Sequence, residues 1–78
     1  MKTTPERHQI CAEAARRAAE SLEAGARDTR FNAWERIHYA ALARVERLSQ
    51  AYHEEAAQLA EQGIAAPGWI EWLQARGI

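Results

Sequence analysis

Few side chains in this 78-residue chain could do chemistry: three histidines, one cysteine, ten basic residues and eleven acidic ones. His8 and Cys11 stand three apart. On a helix they share a face, within reach of one metal ion or as a nucleophile and its base. A structural zinc needs four such ligands, and no third or fourth is spaced to join, so no metal and no cofactor is expected. Cys11 also falls in an alanine-rich stripe, where cysteine serves as a small apolar side chain. His38 sits inside an apolar stripe and reads as a core histidine, or as an interface residue sensitive to pH. There is no glycine-rich phosphate loop, nucleophile elbow or paired-carboxylate motif. The expectation is a protein that is not an enzyme.

Arginines supply the next chemistry. Arg16, Arg17, Arg27, Arg30 and Arg36 gather around the first helical hairpin, opposed by Glu20, Glu23, Asp28 and Glu35. Arg16, Arg17, Arg27 and Arg30 are the candidates for phosphate contact, which makes a small DNA-binding transcriptional regulator the alternative reading. Two observations rank it second. The net charge is −1, where a nucleic-acid binder normally carries a basic excess. A helix-turn-helix also needs short helices, and the second helix here is long.

Aromatic residues carry the favoured reading. Tryptophan, tyrosine and arginine dominate protein interfaces. Trp69, Trp72 and Arg76 share one face of a short terminal segment, and Tyr39 and Arg36 lie on the long helix. These five are the candidate partner-binding residues. For Trp69 and Trp72 the competing role is core, folded back onto Trp34 or Leu59.

Three helices must position these groups. The first spans about 5–24, with Thr4 as N-cap, Pro5 at the first helical position and Gly25 as the stop. Its apolar stripe is Ile10, Cys11, Ala14, Ala18, Ser21 and Leu22. The second spans about 32–62 and opens on the capping box Asn32-Ala33-Trp34-Glu35. Trp34, His38, Ala41, Val45, Leu48 and Tyr52 step by four and three, as a coiled-coil seam does, until Glu55 interrupts. Gly63 stops this helix. The third spans about 67–76, between Pro67 and Gly77.

The fold class expected is all-α: one domain over 1–78, a helical hairpin with one long central helix and a short C-terminal helix. A chain this short buries a marginal core, and one cysteine forms no intrachain disulfide, so stability must come from a second subunit or a partner. We expect a three-helix bundle that pairs as an antiparallel homodimer through the long-helix seam. No run approaches the roughly 18 apolar residues of a membrane span, and no apolar signal core follows Met1, so the expected location is cytoplasmic. The arginine and alanine bias suits a GC-rich bacterial source. The function expected is a non-enzymatic adaptor or inhibitor on a larger bacterial assembly. Phage- and plasmid-encoded inhibitors of host machinery, anti-CRISPR proteins among them, are short and cofactor-free in this way.

Overall fold

The computed structural model describes residues 4–78. It is all-helical: α1 (Pro5–Arg27), α2 (Ala33–Glu61) and α3 (Trp69–Ala75). The local signals act as the sequence predicts at most ends. Thr4 Oγ1 accepts from the Arg7 amide with Pro5 behind it, and Asn32 and Glu35 close a reciprocal capping box. Gly63 and Gly77, both at φ 74°, close α2 and α3 alike. At each, two backbone N–H groups return to the last turn: Gly63 to Ala60 and Ile64 to Leu59, Gly77 to Gln74 and Ile78 to Leu73. A glycine takes this left-handed position without a Cβ penalty.

Two boundaries differ from the sequence reading. Gly25 does not end α1, which runs on to Arg27 and is capped at Asp28. Gly25 instead makes room for a neighbour. A Cβ there would stand 3.1 Å from the Tyr39 ring. Pro67 lies outside α3, whose N-cap is Gly68.

α1 and α2 pack along their lengths as an antiparallel hairpin. The surface they share is not the one the large apolar residues predict. The buried core is Ala12, Ala15, Ala19, Ala43, Ala56, Ala57 and Trp72. Ala12, Ala15 and Ala19 step by three and four, with His8 before them and Leu22 and Ala26 after, all at least half-buried. On α2 the facing row is Arg36, Tyr39, Ala43, Glu46, Gln50, His53, Ala57 and Ala60. The expected stripes therefore lie outside this seam: Ile10 is 69% exposed, Trp34 75%, Ile37 63% and Val45 54%. Alanine wins the seam because short side chains let two backbones approach closely, whereas Trp34 or Val45 would hold them apart.

α3 lies on a different side of α2. Tyr52 donates its hydroxyl to the Pro67 carbonyl (2.6 Å) and Trp72 donates Nε1–H to Glu55 (2.8 Å). Glu55 is roughly 160° round the helix from Ala57, so α3 covers the side of α2 turned away from α1.

Candidate functional site

Side chains on the two flanks of the hairpin differ in kind. On one flank, charges pair. Arg16 reaches Glu13 and Glu20, and Arg17 reaches Glu13. These guanidinium groups, by hydrogen bonding before any longer-range attraction, hold the Glu13 carboxyl down at about 2. Arg47 spans to Glu23 at 2.7 Å and also donates to Gln50, which donates to Glu54. The Glu23–Arg47 bridge fixes how the helices are rotated, since it joins the charged flank of α1 to the charged flank of α2.

The opposite flanks therefore also share a side. On α1 this side carries Cys11, Ala14, Ala18 and Leu22; on α2 it carries His38, Leu42, Val45 and Ser49, by helical spacing. None of these is charged. Leu42 and Val45 are exposed, as are Cys11 and Ala14. Trp34 on α2 is exposed at its outer margin, and Ile10 and Ile37 are exposed on the outer faces of α1 and α2, away from the seam. By the same spacing Arg7 on α1 and Glu35 and Glu46 on α2 border this side, so the hairpin has an ion-paired side and a side that is uncharged across Cys11, Ala14, Ala18, Leu42 and Val45.

Trp72 is 5% exposed and belongs to the core. Its indole stacks on Trp69 with ring centroids 5.7 Å apart, and the Arg76 guanidinium lies 4.1 Å over it. Arg76 also pairs with Glu55. Trp69, half-buried, packs against Tyr52 at 5.6 Å. These three form one intramolecular cluster that fastens α3. Trp72 takes the inward role, against Tyr52 and Glu55, and Arg76 is spent inside the chain. Tyr39, a candidate partner-binding residue, is half-buried. It meets Phe31 edge-on at 5.0 Å and fills the space left by Gly25, closing the hairpin near its loop. Arg36 lies half-buried in the α2 row, its Nε enclosed without a hydrogen-bond partner.

Of the phosphate-contact candidates, Arg16, Arg17 and Arg30 are engaged with carboxylates of their own chain, Arg30 with Asp28 at 2.7 Å. Arg27 is exposed at the end of α1.

His8 and Cys11 are not brought together as a nucleophile pair. His8 instead turns Nδ1 to His53 Nδ1 at 2.9 Å, beside Tyr52. Only one of two nitrogens can donate in such a bond, so at least one ring is neutral. Burial, and then the nearness of His8, push His53 below the ordinary imidazole range. Among the described residues, no three His, Cys, Asp or Glu side chains gather to hold a metal ion, and no helix is long and apolar enough to cross a membrane.

Sequence reasoning missed three features. The alanine seam gave no signal, because alanine is frequent on every face of α1. His53 carried no signal linking it to His8. Glu55 read as an interruption of a seam, whereas it accepts from both Trp72 and Arg76; the four-residue Trp–Arg spacing on α3 was the available hint.

Comparison with family models, with curated proteins and with solved structures gives no match.

Proposed function

We propose that this chain is a non-catalytic protein-interaction module whose docking surface is the uncharged side of the α1–α2 hairpin. On this reading it works by covering, or being covered by, an apolar surface of another protein, as an adaptor or inhibitor does. One observation carries the reading. The hairpin closes on alanines, while Ile10, Trp34, Ile37, Leu42 and Val45 remain exposed. Burying each such side chain fully stabilises by about 1.5–3 kcal/mol, and contiguous exposed apolar surface marks a contact site. The ion-paired side offers no comparable gain, since exposed pairs contribute little.

The test is affinity capture of the tagged chain from a lysate of its source, with and without nuclease, using two variants. Val45→Glu places a charge on the uncharged side; Gln58→Glu places one on the opposite flank. Protein capture that survives nuclease, is lost in Val45→Glu and persists in Gln58→Glu supports the reading. Capture indifferent to Val45→Glu, or dependent on nucleic acid, overturns it.

A further inference from the structure

We infer that the occupant of the uncharged side is a second copy of this chain, the two hairpins stacking into a four-helix bundle. This rests on the reading of that side as a docking surface and names its partner.

Three observations converge on a like partner. The first is shape. The molecule measures 47 × 25 × 17 Å, with a radius of gyration of 14.7 Å. A compact chain of this length has a radius near 11.5 Å. Stable domains bury their apolar faces between two packed layers, and α1 and α2 make only one. Consistent with that, no large side chain is completely buried among the described residues.

The second is area. The accessible surface is 5697 Å², whereas an 8.8 kDa monomer is expected to expose about 4,800 Å². The excess, on the order of 900 Å², is comparable with the roughly 800 Å² that each partner contributes to a standard interface.

The third is self-complementarity. The α1 half of the uncharged side is low, with Cys11, Ala14 and Ala18. The α2 half is tall, with Leu42 and Val45 and with Trp34 at its margin. A twofold axis along the hairpin lays the tall half of each copy on the low half of the other, as an isologous contact requires. Adjacent helices then run antiparallel throughout, as in up-down bundles. Glu46 borders the contact where this side meets the hairpin seam, and the Glu13–Arg16 and Glu23–Arg47 pairs stay on the outside of both copies.

Two measurements on the untagged protein test this. The first is sedimentation equilibrium over a wide concentration range, for the natural chain, Val45→Glu, Ala18→Glu and Gln58→Glu. The second is the rate at which a bulky maleimide labels Cys11, which lies exposed on the uncharged side of the single chain. It needs no variant and so is immune to misfolding of one. The expected result is twice the chain mass for the natural protein and Gln58→Glu, loss of pairing in Val45→Glu and Ala18→Glu, and Cys11 labelling that slows several-fold as concentration rises. A single chain mass at every concentration overturns the inference. So does a dimer that forms with Cys11 equally reactive or with both glutamates tolerated. If the chain stays single yet captures another protein in a Val45-dependent way, the inference falls and the docking reading stands. If it stays single and captures nothing through that side, both fall.

Discussion

Replacing Ala19 by leucine probes the alanine seam most directly. Ala19 is 0% exposed, flanked along α1 by Ala15 at 5% and faced by α2, where Ala43 is 3% exposed. Three added carbons have no space there. They must either push α1 from α2 or twist out of rotamer, which costs about 1–3 kcal/mol in a packed site. A 78-residue chain has a total stability of only about 4–12 kcal/mol, so the loss is a large share. Each kcal/mol moves the melting temperature of so small a domain by about 4–8 °C, which sets an expected fall on the order of 10 °C. Two controls use the same substitution. Ala24 and Ala51 are exposed and lie off both the seam and the uncharged side, so Ala24→Leu and Ala51→Leu should change stability by about 0.5 kcal/mol or less. The assay is thermal and urea unfolding followed by helical circular dichroism, all variants at one protein concentration. If Ala19→Leu melts with the natural chain, or if Ala24→Leu falls as far, the helices do not meet on the alanines and the segregation of the two sides is lost with them.

Acid should loosen the open end of the hairpin. His53 binds a proton less readily in the fold than in the unfolded chain, where imidazole titrates near 6.5. The unfolded state therefore takes up more protons as pH falls through that value, so stability is intact above about 6.5 and declines below it. Urea midpoints should drop between pH 7.5 and about pH 5, and His53→Gln should flatten that drop; an equal drop in the variant would rule out His53 as its source. Trp72→Phe keeps an aromatic ring against Trp69 but removes the hydrogen bond that, ahead of Arg76, holds the Glu55 carboxyl below its ordinary 4.5. Its titration, followed by carboxyl NMR, should move upward, and an unchanged midpoint would assign the effect to Arg76 alone. Asn32→Ala removes the side-chain half of the capping box, leaving the backbone N–H at position 32 to Glu35, and should cost about 1 kcal/mol; no loss would mean the amides at the start of α2 find water equally well.

Sequence and structure agree where the determinants are local. Thr4 with Pro5, the Asn32–Glu35 box and the stops at Gly63 and Gly77 each act within one helical turn, so the chain announces them. Even Gly25, a sound stop by composition, fails because its role is tertiary: the ring of Tyr39 comes in from the other helix. The seam was illegible for a related reason. Periodicity arguments follow the largest apolar side chains, and here these are the ones left outside. The same applies to the aromatic cluster. Trp69, Trp72 and Arg76 were visible as a group, but only the placement of α3 on Tyr52 and Glu55 shows that the group faces inward.

A seam of methyl groups has a mechanical consequence. Large side chains interlock like gear teeth and forbid sliding; Ala12, Ala15 and Ala19 give α1 a nearly smooth track, along which displacement by one turn, about 5.4 Å, exchanges one methyl for the next. Register in this hairpin is therefore carried by fasteners at discrete points: His8–His53 at the open end, Glu23–Arg47 between, and Tyr39 seated on Gly25 at the loop. Two of the three are polar, and each is half in contact with solvent. The molecule is thus a rail whose setting is held by clips, and its alignment, more than its helicity, is what salt and acid act upon.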